Sequence, residues 1–414
     1  MVKKILKAAI LSLFLAVSGI TAYAQNNKEV VVGAANIADY LPVLNGKKVA
    51  VFANQTSLVG STHLVDTLQK SGVQIIKIFS PEHGFRGTAD AGAYIKNSTD
   101  SATGLPIVSL YGSNRVPSAA QLSDVDMVIF DMQDVGVRFY TYISSLEEML
   151  EATLVNNKTL LVLDRPNPNG FYIDGPVLED GYSSFVGKQK VPIVYGMTIG
   201  EYAQMIAGEK WLNKTANEAY AKNKALLQVI ACKAYNRKES YELPVKPSPN
   251  LPNLQSILLY PSLCFFEGTN VSLGRGTDFP FQIYGAPGLP NSLWNFTPKS
   301  VPGATNPPLK NTKCYGYDLS KELIDVSDKK WQKLQLGYLL NAYKLYPSKN
   351  SFFLTAGKSN PKPSDYFFNK LAGNKQLMFQ VMNDKTEDEI RESWQKDLDA
   401  FKHIRKKYLL YADF

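Results

Sequence analysis

The sequence predicts an α/β protein, with a Rossmann-like, mostly parallel sheet domain followed by a smaller α+β domain. Three observations lead there. Between residues 30 and 235 short apolar runs without polar alternation recur at intervals of roughly 20 to 30 residues, the pattern of parallel strands covered by helices on both faces. Helical stretches separate the runs, as βαβ units require. Finally, the segment Pro244-Val245-Lys246-Pro247-Ser248-Pro249-Asn250-Leu251-Pro252 divides this regular part from one with long loops. Prolines at that density exclude both helix and sheet interior.

Taken in order, the chain opens with Lys3, Lys4 and Lys7 ahead of the apolar stretch from Ala8 to Ile20. Ala22-Tyr23-Ala24 then fits the small-x-small cleavage pattern. Residues 1–24 therefore read as a secretory signal peptide, too short to span a bilayer comfortably. This predicts a periplasmic or secreted protein that leaves the membrane after cleavage. The domains expected behind it are 25–243 and 244–414.

Five runs in the first domain stop abruptly at polar clusters. Val49–Ala53 gives way to Asn54-Gln55-Thr56, and a β-branched run ends at Ser80-Pro81-Glu82-His83-Gly84-Phe85-Arg86-Gly87. Ile107–Leu110 leads to Tyr111-Gly112-Ser113-Asn114-Arg115, Met127–Phe130 to Asp131-Met132-Gln133-Asp134, and Leu160–Leu163 to Asp164-Arg165-Pro166-Asn167. A sixth run, Val191–Val194, reads as another strand. Helices are expected over Thr62–Ser71 and Tyr142–Val155, and after Thr198, which with Glu201 makes a capping box. The tail reads as helix: Thr386 and Glu389 form a second box, and Ile390, Trp394, Leu398, Phe401, Ile404 and Tyr408 form one apolar stripe.

Composition excludes several functions. The formal net charge is +8, and residues 1–24 account for three lysines and no acid. The remainder is mildly basic, without the dense Lys/Arg run of a nucleic-acid binder. Three cysteines without a CxxC pair do not make a disulfide scaffold, and three widely spaced histidines do not make a zinc site. The loop after the first strand is neither GxGxxG nor GxxxxGK[ST], and GxSxG is missing. No cofactor and no metal are expected.

What remains is carboxylates, arginines, amides and aromatics. In parallel sheets ligands bind beyond the carboxyl ends of the strands, so the polar clusters should converge on one rim. Glu82, Asp131, Asp134 and Asp164 are the acids of that rim; Glu267 and Asp278 lie in the Gly-rich stretches of the second domain. Two carboxylates across a scissile bond are what glycoside hydrolysis needs. Structural alternatives exist: a salt-bridge knot for Glu82, His83 and Arg86, helix caps or Arg138 partners for Asp131 and Asp134, a structural pair for Asp164-Arg165. His83 is too isolated for a triad and suits an orienting role. The amides Asn54 and Asn270 join the binding candidates.

SPEHGFRG at 80–87, DMQDVGVRFYTY at 131–142, DRPNPNG at 164–170, YGMTIGE at 195–201 and EGTNVSLGRGTDFPF at 267–281 together resemble the secreted exo-β-N-acetylmuramidases of the NamZ type. The resemblance implies a Rossmann-like domain joined to a smaller α/β domain with the site between them. It also implies release of N-acetylmuramic acid from the non-reducing ends of peptidoglycan fragments. On that basis Glu82, in the family's SPEHG motif, is the expected catalytic acid, and Glu267 is chosen as the second carboxylate. The muramic sugar carries a lactyl carboxylate, for which Arg275, Arg138 and Arg86 are the candidate partners; Tyr140, Tyr142, Phe85 and Phe281 could face the sugar ring. The alternatives are a non-catalytic cell-wall sugar-binding protein, and an amidase or esterase. Retention or inversion depends on carboxylate spacing and is not readable from sequence, nor is the oligomeric state.

Overall fold

The computed structural model describes residues 29–82, 84–85 and 97–414. The predicted signal segment, His83 and Arg86 lie outside the described residues. The strands are β1 Lys48–Ala53, β2 Leu58–Val59, β3 Thr62–His63, β4 Gln74–Ser80, β5 Ser98–Thr99, β6 Pro106–Ser109, β7 Met127–Asp131, β8 Thr159–Leu163, β9 Leu227–Ile230, β10 Ile283–Ala286, β11 Trp294–Phe296 and β12 Cys314–Asp318. Seven of them form one sheet in the order β5-β6-β4-β1-β7-β8-β9. All neighbours are parallel except the edge strand β5. Without β5 this is the doubly wound strand order whose crevice opens where the winding reverses, between β1 and β7.

The runs are continuous because both faces of the sheet are covered. On one face Ala50, Phe52, Phe79, Val128, Phe130, Leu160 and Val162 pack against the helix Tyr142–Val155 through Ile143, Leu146 and Leu150. On the other, Val49, Val51, Ile78, Ile129 and Leu161 meet Tyr40 and Leu44 of the helix Ile37–Leu44 and Leu64, Val65 and Leu68 of the helix Leu64–Lys70. Successive side chains point to opposite faces, so both faces of the central strands demand apolar residues.

Val191–Val194 is not a strand of this sheet. Pro192 has no N–H for a ladder, and Val194 makes only isolated antiparallel bridges with Val137 and Asp174. The place beside β8 is taken by β9, a half-buried edge strand. The predicted helix over Thr62–Ser71 begins later, at Leu64, because Thr62–His63 pairs with β2. Tyr142–Val155, the Thr198–Glu201 box and the Thr386–Glu389 box are as expected.

The proline segment crosses the carboxyl edge of the sheet. Gln55 Nε2 and the Tyr140 hydroxyl donate to the Pro247 carbonyl at 3.1 and 2.9 Å. The chain then enters the helix Leu254–Leu263, capped by Asn253, and the 3-10 turn Cys264–Gly268. An antiparallel sheet β10-β12-β11 and several short helices follow. The tail is two helices, Glu387–Glu392 and Gln395–Arg405, and its last residues return to the first domain. There the Tyr411 hydroxyl donates to Asp164 Oδ2 at 2.6 Å and Leu410 N–H to Glu201 Oε1 at 2.8 Å.

Candidate active site

At the end of β4 the chain turns sharply. Gly84 N–H donates to the Pro81 carbonyl at 3.1 Å, and Gly84 has φ +75°, which glycine adopts without strain. The turn presents Glu82 at the rim, half-buried. Tyr111, beyond β6, donates its hydroxyl to Glu82 Oε1 at 2.8 Å, and Thr141, beyond β7, lies 3.4 Å from Oε2. Three strand ends therefore position one carboxyl group.

The opposing wall comes from the second domain. Glu267 lies in the turn after the helix Leu254–Leu263, and Arg275 Nε and Nη2 donate to its Oε1 at 3.1 and 2.5 Å. Gly274 and Gly276 on either side of Arg275 have φ +87° and +80°. A Cβ at either would come within 2.6 Å of a backbone oxygen, Phe279 O or Lys299 O. Only glycine fits this bend, which aims Arg275 at Glu267. Burial works against the Arg275 charge, yet the Glu267 carboxylate leaves its pKa above the ordinary arginine value.

Glu82 and Glu267 line one cavity of about 300 Å³, together with Tyr111, Arg115, Thr141, Phe185, Ser248, Leu251 and Arg275. Its floor is a set of edge-to-face rings: Tyr140 against Tyr142 (4.8 Å between centroids), Tyr260 against Phe139 (5.4 Å) and Phe281 (4.9 Å). Phe281 has φ +56°, an unfavourable conformation for a bulky residue and one concentrated at functional sites. A larger cavity of about 710 Å³ lies within the second domain and shares Glu267 and Arg275 with the cleft. Among the described residues, carboxyl groups from both domains, Glu82 and Glu267, line the smaller cavity, whereas the larger is lined by the single carboxyl group of Glu267.

The structure thus brings Glu82, Glu267, Arg275 and Tyr140 together. Asn270 lines the larger cavity and donates to Ser351 O at 2.5 Å; Asp278 is exposed and lines neither cavity. Five other binding candidates are buried away from the cleft, which corrects the expectation that the whole rim faces ligand. Asp131 is clamped by Arg165 at 2.6 and 2.8 Å. Asp164 accepts from Thr198, Gly200 and Tyr411, and burial pushes its pKa up to about 6. Asp134 accepts from Gly136 N–H and the Tyr195 hydroxyl and is likewise pushed up to about 6 by burial. Arg138 donates to four carbonyls, of Pro176, Val191, Leu371 and Ala372, tying the two domains together. Asn54 holds the Tyr142 hydroxyl at 2.6 Å and closes its own turn on Thr56.

Sequence reasoning missed Tyr111, Arg115, Thr141, Phe185 and Tyr260. For Tyr111 and Arg115 the signal was present: they stand in the polar cluster after the third run, as Glu82 stands after the second. Phe185 and Tyr260 carry no local signal, since only packing separates a cleft aromatic from a core one.

A parallel-sheet domain and a second domain that close a carboxylate-lined, aromatic-floored cleft define a sugar-processing hydrolase class of site. Family models described as exo-β-N-acetylmuramidase NamZ, N-terminal and C-terminal, match residues 49–255 and 258–411. The chain belongs to the NamZ family. It is 36% identical over 395 residues to the peptidoglycan β-N-acetylmuramidase NamZ of Bacillus subtilis (strain 168), covering 91% of this chain and 89% of that protein. Two crystal structures of DUF1343 family proteins from Bacteroides fragilis NCTC 9343 superpose with it. One has TM-score 0.82 and 43% identity, covering 94% of this chain and all of that one; the other has 0.76 and 29%, covering 92% and 99%.

Proposed function

We propose that the protein is an exo-acting glycoside hydrolase that releases N-acetylmuramic acid from the non-reducing ends of peptidoglycan fragments, with Glu82 and Glu267 as its reacting groups. The observation that carries this is one cleft holding a carboxyl group from each domain, in a chain of the NamZ family. Among the described residues, Glu82 accepts from the Tyr111 hydroxyl and lies 3.4 Å from the Thr141 hydroxyl, and Glu267 accepts from the Arg275 guanidinium. Glu82 protonates the glycosidic oxygen as the bond to the leaving sugar breaks. Glu267, a carboxylate paired with Arg275, serves the anomeric centre as nucleophile or as base for the attacking water. Tyr140, Tyr260 and Phe281 offer ring faces to the sugar, and His83, adjacent to Glu82 in sequence, is assigned the orienting of a carboxylate or a substrate hydroxyl.

The lysine-flanked apolar stretch and Ala22-Tyr23-Ala24 support export, with a mature chain starting at Gln25. Incubation of the purified protein with the disaccharide MurNAc-GlcNAc and with GlcNAc-MurNAc tests the activity. Free MurNAc should form from the first, with none from the second. Absence of product from both, or cleavage of the second alone, would refute an exo-muramidase.

A further inference from the structure

We infer that Arg115, stacked on Phe185, forms the anion subsite of the cleft and takes the lactyl carboxylate of the muramic sugar. This rests on the muramidase reading above and names the residue that makes it specific. Among the described residues, the other guanidiniums at or near the cleft are occupied. Arg275 gives two N–H groups to Glu267, Arg165 clamps Asp131, and Arg138 is surrounded by four carbonyls. Arg115 is different. It lines the same cavity as Glu82 and Tyr111 and makes no ion pair with a described residue. Its Nε is buried with no hydrogen-bond partner.

Its guanidinium carbon lies 4.0 Å from the centre of the Phe185 ring. Stacking on a ring fixes the guanidinium plane and leaves the in-plane N–H edge for a ligand. The Nε is enclosed, whereas the two Nη groups make no hydrogen bond with a described residue and are not enclosed, so a carboxylate in the cleft can take two charge-assisted bonds from them. The charges agree. Of the four charged residues lining the cleft among the described residues, Glu267 and Arg275 pair with each other. Arg115 thus places a guanidinium without a described ion-pair partner in the cleft beside Glu82, a cation for one anionic ligand. Arg115 also lies four residues from Tyr111, which donates to Glu82. An anchor there places the bound sugar in register with the acid.

The test compares a chromogenic MurNAc glycoside with the same compound whose lactyl carboxylate is converted to the primary amide. Wild type should prefer the acid. Arg115→Gln should lower kcat/KM on the acid by about tenfold to a hundredfold, the effect of a hydrogen bond to a charged group, chiefly through KM, and lower it much less on the amide. Arg115→Lys, which keeps the charge and loses the fork, should fall between. Calorimetric titration with MurNAc and GlcNAc needs no turnover and should show wild-type discrimination that Arg115→Gln erases. An active wild type whose preference for acid over amide survives Arg115→Gln overturns the anion subsite alone. A wild type that binds MurNAc but releases none from its glycosides overturns the hydrolase reading instead.

Discussion

Glu267 and Arg275 act as a unit, because both polar edges of the pair are directed at each other across about 2.5 Å. Arg275→Ala should therefore lower turnover to a similar degree on the lactyl acid and its amide, since it releases Glu267 rather than an anion subsite. Kinetics on both substrates check this, and a loss confined to the acid would return Arg275 to the role of lactyl partner. A second residue-scale consequence concerns pH. Asp134 is pushed up to about 6 by burial, well above its value in an unfolded chain. The folded protein thus binds the Asp134 proton more tightly than the unfolded chain does. The stability so gained is fully present below about pH 4 and is lost as pH rises through 6. Asp134→Asn removes this dependence. Relative to wild type, the variant should gain about 1 to 3 kcal/mol between pH 4 and 7, read from urea midpoints at several pH values. A constant difference across that range would contradict it.

At the scale of elements, the tail after the helix Gln395–Arg405 seals the first domain by polar contacts. The Tyr411 hydroxyl donates to Asp164 and accepts the Cys232 N–H at 2.8 Å. Tyr411→Phe removes both bonds without changing shape. It should cost about 1.5 to 3 kcal/mol while activity per folded molecule stays unchanged; chemical denaturation and kinetics on the same preparation decide. This contact also shows where sequence reading stops. The strands were legible because a face-covered parallel sheet demands unbroken apolar residues, and their ends were legible because the runs broke at charge. Which charges face ligand was not. Asp131 and Glu82 both follow apolar runs, but Arg165, at the neighbouring strand end, closes on Asp131, and Glu82 stands at the rim. The same limit explains the sixth run: Val191–Val194 has the composition of a strand, and its proline and its bridges to Val137 and Asp174 remove it from the sheet.

For the whole molecule, the cleft exists because two structural units converge on the carboxyl edge of one sheet. β4, β6 and β7 deliver Glu82, Tyr111 and Thr141, the proline segment crosses above them, and the bend at Gly274–Gly276 brings Arg275 and Glu267 opposite. The central claim is that Glu82 supplies the proton in this two-domain site. The most direct measurement is kcat for Glu82→Gln on a MurNAc glycoside with a poor leaving group, with folding monitored by circular dichroism. The glutamine keeps the shape and cannot donate the proton, so kcat should fall by at least about a hundredfold with the fold intact. A folded Glu82→Gln variant turning over at near wild-type rate would contradict the assignment.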